Sequence, residues 1–139
     1  MTRKLGARHV INYKMTPKWS EEVLRITQGR GVDHVVDVAG SGTIEESLRS
    51  CRKDGLVSVL GTLSEPKMTD LIPMIMLGGI NIRGHGGSGS ALMLQQLVEF
   101  VERHDIHPLI ASSYDFHHAV EAFAELKKRQ LVGKTVIKT

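Results

Sequence analysis

Four short apolar runs, rich in β-branched residues, begin about 23 residues apart at His9, Val32, Leu56 and Ile80, and a helical pattern fills each interval. Such an interval holds one strand, one helix and two short loops, with little chain left over. Strands alternating with helices at this spacing are joined by crossovers and lie parallel, which selects an α/β sheet over a bundle or a sandwich. No linker, low-complexity tract or tandem repeat interrupts the pattern, so one doubly wound α/β unit over residues 1–139 is the economical expectation.

The punctuation gives the elements. His9-Val10-Ile11-Asn12-Tyr13 is expected as a strand. Thr16-Pro17 supplies an N-cap and a proline for a helix that carries Val23 and Ile26 and stops at Gly29 and Gly31. Residues 32–39, with Val35, Val36 and Val38, form a strand buried on both faces. Gly40-Ser41-Gly42 turns into a helix whose Ile44, Leu48 and Cys51 stand at i, i+4 and i+7. Gly55 ends that region, residues 56–60 form a strand, and Gly61 closes it. Asp70 caps a short helix reaching Met76, Gly78-Gly79 breaks it, and residues 80–83 form the next strand. A glycine-rich stretch over 84–90 precedes a long helix with Leu94, Leu97, Val98 and Val101 on one side. An extended segment ends near Tyr114, Asp115 caps a helix presenting Phe116, Val120 and Phe123, and residues 134–138 make a last strand.

Composition removes several function classes. A net charge of +3 with 24% charged residues, and no basic block interleaved with aromatics, gives no field for nucleic acid or an anionic membrane. No apolar run approaches the ~20 residues of a bilayer span, and no signal peptide is written at the start. The single cysteine, Cys51, excludes an internal disulfide and a multi-cysteine zinc site, and a reducing, cytoplasmic compartment is expected. Among the seven histidines no set offers three or four converging ligands, so no metal site is expected. Cys51 reads as core rather than nucleophile. Asp37 reads equally as an anchor for a ribose and as a structural hydrogen-bond acceptor.

Open α/β sheets bind ligands beyond the carboxyl ends of their strands. Three strand ends run into small residues: Val38-Ala39-Gly40, Leu60-Gly61-Thr62 and Arg83-Gly84-His85. Small residues there admit a flat ligand close to the backbone; each glycine alone also suits a plain tight turn. Three in a row favour a nucleotide crevice. The Gly-x-Gly-x-x-Gly pyrophosphate loop between a first strand and first helix is absent, and residues 84–89 come too late to be it.

The residues that carry a resemblance run through the whole chain. They are Leu5-Gly6-Ala7-Arg8-His9-Val10-Ile11-Asn12-Tyr13, Trp19, Gly29 to Gly40, Thr43, Ser47-Leu48, Gly55, Gly61, Arg83-Gly84, His107-Pro108, Ala119, Ala122-Phe123 and Gly133-Lys134 with Val136-Ile137. This sequence resembles the NAD(P)-binding, C-terminal portion of zinc-type, medium-chain alcohol dehydrogenases. The resemblance implies a partial doubly wound parallel (Rossmann) sheet and NAD or NADP as cofactor. It implies that Val38, Ala39 and Gly40 lie near the adenosine end. Leu60, Gly61 and Thr62, with Arg83, Gly84 and His85, are implied around the nicotinamide end, and Lys134 as the cation facing the pyrophosphate.

It further implies that the first two strands, the glycine loop, the residue that tells NAD from NADP and the zinc-bearing catalytic domain lie outside residues 1–139. Where many relatives carry Gly-Ser-Arg, this chain has Gly87-Ser88-Gly89, so a cationic contact at this place is not expected to carry over. With the central strand missing, residues 9–13 would have no neighbour and the flank of residues 32–39 would be open. A marginal domain is expected, rescued by 9–13 closing onto 32–39 or by pairing with a second copy in a homo-oligomer. The expected function is the coenzyme half of a hydride-transfer oxidoreductase, inactive by itself. The alternatives are a non-catalytic nucleotide-binding or oligomerisation module and a portion of a quinone reductase relative.

Overall fold

The computed structural model describes all residues except Met1, Met68, Ser88 and Arg129. The chain divides into two compact units, Met1–Gly87 and Ser88–Thr139, each taken by itself below.

The first unit contains α1 (Trp19–Ile26), β1 (Val32–Asp37), α2 (Ile44–Ser50), β2 (Cys51–Val59), α3 (Ile72–Gly78) and β3 (Asn81–Gly84). The three strands form a parallel sheet in the order β1-β2-β3, as the strand–helix alternation requires. Val35↔Val57 and Val57↔Ile82 are in register, so these three side chains share one sheet face. That face packs under α2: Leu48 and Val57 are 1% and 0% exposed, joined by Ile44 and Cys51, with Val35, Val59, Met74, Ile75 and Ile80 around them. On the opposite face Ser58 is buried against His34, but Val36 and Val38, expected to be buried, are 57% and 51% exposed.

Residues 9–13 do not form the expected strand. Asn12 instead nucleates a turn, its carbonyl accepting from the Met15 and Thr16 amides and its side chain from the Lys14 amide. A strand needs a neighbour to satisfy its backbone groups, and none pairs with this segment or with the free edge of β1 among the described residues. The helix after it starts later than expected. Thr16-Pro17 lie outside it, Lys18 is the N-cap without a side-chain bond, and the Ser20 amide is capped from α2 by the Glu46 carboxylate at 3.0 Å.

Cys51, expected as the last apolar position of α2, is the first residue of β2 and is buried in the core. It pairs with Val32, but the next pair is His34↔Leu56, so residues 52–55 bulge out of the ladder. Asp70 accepts from the Ile72 amide as the start of α3, and Gly79 ends that helix in the left-handed conformation, φ 58°.

The second unit contains α4 (Ala91–Arg103), β4 (Ile110–Asp115), α5 (Ala119–Lys127) and β5 (Lys134–Lys138). β4 and β5 form a two-stranded parallel sheet. Ser90 caps α4 by accepting from the Met93 amide, and Ala122 of α5 is buried while the Tyr114 hydroxyl donates to the Glu125 carboxylate. Asp115 precedes a short 3-10 turn over Phe116–His118 and makes no side-chain cap, so α5 begins four residues beyond it. Leu94, Leu97 and Val98 do share α4, but all three are exposed. Among the described residues the strands fall in two parallel sheets, one of three strands and one of two, where the sequence suggested a single sheet. Among the described residues no helix is long and apolar enough to cross a membrane.

Candidate functional site

The carboxyl ends of β1, β2 and β3 stand side by side, and their loops are tied to one another by backbone bonds. The Leu60 amide donates to the Asp37 carbonyl at 2.8 Å, the Ser64 amide to the Ala39 carbonyl at 2.9 Å, and the His85 amide to the Val59 carbonyl at 2.9 Å. Residues 38–40, 60–62 and 83–85, singled out on sequence grounds, are thus brought into one row.

Two of the small residues have a reason within the protein itself. A Cβ on Gly61 would lie 2.5 Å from the Val38 carbonyl oxygen, and one on Gly40 would lie 2.9 Å from the Gly61 oxygen, at a φ of +80° that side chains avoid. Their smallness lets the first two loops touch each other. Gly84 is different: a Cβ there meets nothing within 4 Å, so protein packing alone does not demand glycine.

Asp37 organises the first loop. Its Oδ1 accepts from the Ala39 amide at 3.0 Å, the Gly40 amide at 2.8 Å and the Thr43 hydroxyl at 2.9 Å; its Oδ2 accepts from the Ser47 hydroxyl at 2.6 Å. Burial alone would raise its pKa, but the bonds from Ser47, Gly40, Thr43 and Ala39 outweigh that and hold the carboxyl below its ordinary value. Both carboxylate oxygens are thus engaged by donors of the loop and of α2, which is the structural-acceptor role, one of the two readings of Asp37. Ser64 adds a second brace, accepting from the Gly42 amide at 2.7 Å and donating to the Ala39 carbonyl at 2.7 Å.

Among these loops lies a cavity of about 240 Å³ lined by Gly40, Ser41, Val59, Thr62, Thr69 and Ile82, among others. The Thr69 hydroxyl is buried and has no hydrogen-bond partner among the described residues. A buried, unpaired hydroxyl costs ~1–3 kcal/mol. Ser64 and Thr69 were not legible as site residues: both sit in a polar loop with no periodicity, and only the folded loop shows what they face.

Lys134 opens β5 in the second unit, is exposed, and donates its amide to the Leu109 carbonyl at 2.7 Å. The Gly87-Ser88-Gly89 departure includes Ser88, which lies outside the described residues. His34 shares a 2.8 Å hydrogen bond with Ser58, His107 with Asp105, and the His104 ring packs on Phe100. No group of three or more His, Cys, Asp or Glu converges among the described residues. Desolvation raises the pKa of the buried Cys51 thiol, which fits a core residue.

Residues 5–137 match a family model described as zinc-binding dehydrogenase. A zinc-type alcohol dehydrogenase-like protein of Schizosaccharomyces pombe is 36% identical over 140 residues, covering 98% of this chain and 40% of that protein. A crystal structure of a putative alcohol dehydrogenase from Sinorhizobium meliloti superposes with a TM-score of 0.84 at 33% identity, over 99% of this chain and 40% of that one. A crystal structure of an NAD-dependent alcohol dehydrogenase gives 0.82 at 28% identity, over 99% and 39%. The chain thus spans about two fifths of the length of these relatives.

Proposed function

Because this chain belongs to the zinc-binding dehydrogenase family, we propose that the tips of β1, β2 and β3 contribute part of the crevice for a nicotinamide dinucleotide, NAD or NADP. The observation that carries the reading is the row of 38–40, 60–62 and 83–85 at the carboxyl ends of neighbouring parallel strands, beside a cavity with an unpaired hydroxyl. The open side of Gly84 fits it as well, since the backbone there can be approached without displacing protein.

In this reading Val38, Ala39 and Gly40 face the adenosine end, while Leu60, Gly61, Thr62, Arg83, Gly84 and His85 surround the nicotinamide end. Asp37 does not touch the ligand; it fixes the first loop. When bound, the nicotinamide supplies or accepts a hydride. The residues of this chain orient that ring and present polar groups to its edge. Lys134 is proposed separately, from the resemblance, as a cation for the pyrophosphate.

The complete reaction inferred is hydride transfer between an alcohol or aldehyde and the nicotinamide. Residues 1–139 by themselves are expected to bind without turnover. Titration calorimetry of NAD and NADP into this chain tests binding, and incubation with alcohols and NAD, with and without zinc, tests turnover. Gly84→Ala is the informative variant: it meets no protein atom, so a loss of binding of about tenfold at unchanged stability reads direct ligand approach. Absence of binding by both coenzymes, or unchanged affinity in Gly84→Ala, contradicts the crevice. Cofactor reduction by the chain alone contradicts the expected lack of turnover.

A further inference from the structure

The amino ends of the same strands, opposite the proposed crevice, border an open groove of about 670 Å³. That is within the range of small-molecule sites. Its apolar lining includes Leu24, Leu48, Met74, Leu77 and Ile80, from α1, α2, α3 and the residue before β3. Its charged lining is of one sign: Arg30, Arg49, Arg52 and Lys53, with no carboxylate among the lining residues.

The cations are not equally committed. Arg49 faces two carboxylates, Glu45 and Glu46. Arg30 and Arg52 share the one carboxylate of Asp33, each at 2.6 Å, which leaves one positive charge in surplus. Lys53 makes no ion pair among the described residues. Arg52 also donates to the Lys53 carbonyl, so the guanidinium is held next to that residue. An apolar trough edged by surplus positive charge complements a molecule with a long apolar body and a single anionic head. A second copy of this chain laid symmetrically on the groove would bring the same cations against these, which opposes that occupant. Nucleic acid would leave the apolar lining unused.

We propose that this groove binds a medium-chain fatty-acid anion, with its alkyl chain along Leu24, Met74 and Leu77 and its carboxylate at Lys53 and Arg52. The site is separate from the nucleotide crevice and does not depend on it.

The test is calorimetric titration of the 139-residue chain with decanoate, decanol and decyltrimethylammonium, all below their aggregation concentrations and at low salt. The expected result is one saturable decanoate site, at least tenfold tighter than decanol or the cation. Lys53→Glu weakens decanoate at least fivefold with the circular dichroism spectrum unchanged, since Lys53 is an exposed residue. Leu77→Asp, also at an exposed position, does the same through the chain-binding wall. Saturating NAD leaves decanoate affinity unaltered. Absent or non-saturable decanoate binding, equal affinity for decanol, an affinity untouched by Lys53→Glu, or competition with NAD each overturns the proposal.

Discussion

Replacing Asp37 by alanine removes the acceptor for four donors at once, and the structure allows the cost to be worked out. The Thr43 hydroxyl keeps an alternative, because it already lies 3.3 Å from the Gly40 carbonyl. The Ala39 amide is only part-buried and can find water, which leaves the Gly40 amide and the Ser47 hydroxyl as buried groups without a partner. At ~1–3 kcal/mol for each such group, and with the loss of charge-assisted bonds on top, Asp37→Ala should cost about 3–5 kcal/mol. A domain holds only ~5–15 kcal/mol in total, so a loss of this size brings the variant near unfolding.

Urea denaturation followed by circular dichroism measures it, as a lower midpoint at unchanged slope. The pH dependence provides a second check with a definite sign. The folded carboxyl is held below its unfolded value, so its contribution is fully present above the unfolded pKa of ~3.9 and is lost as pH falls through the lower folded value. Asp37→Asn should therefore flatten the loss of stability below about pH 4. A cost under ~1 kcal/mol for Asp37→Ala would refute the assignment of Asp37 as the loop's central acceptor.

Two further outcomes follow from the packing. Gly61→Ala places a Cβ against the Val38 carbonyl and should destabilise by ~1–3 kcal/mol, measured by the same urea midpoints, whereas Gly84→Ala should leave stability unchanged within ~0.5 kcal/mol. The Cys51 thiol, buried at the floor of the groove and with its pKa raised, should react with a thiol reagent at neutral pH much more slowly in the native chain than in the urea-unfolded one; equal rates would place it outside the core.

Much of the architecture is legible in the sequence because it depends on local pattern. The positions of β1, β3, α2 and α4 follow from strand-length apolar runs, from apolar residues at helical spacing and from breaking glycines such as Gly78-Gly79, and the parallel order follows from the helices between them. What failed depended on partners. Residues 9–13 have the composition of a strand but no neighbour to pair with, and Asn12 offers a turn in its place. Thr16 and Asp115 are good capping residues, yet the cap of α1 comes from Glu46, 26 positions downstream of Ser20, and Asp115 is followed by a 3-10 turn. In the site, the positions of the small residues were legible and the reason for them was not. Gly40 and Gly61 serve contact between two loops, a relation invisible in either loop alone. The hydroxyl of Thr69 carries no sequence signal at all.

The most direct measurement is amide-resolved NMR of the isotope-labelled chain during addition of NAD or NADP. The account predicts that shift changes concentrate on the amides of 38–40, 60–62, 69 and 83–85, at one end of the three-stranded sheet, and leave the groove around Lys53 and Leu77 unmoved. Saturable changes centred elsewhere in Met1–Gly87 with those loops silent, or no changes with either coenzyme, would contradict it.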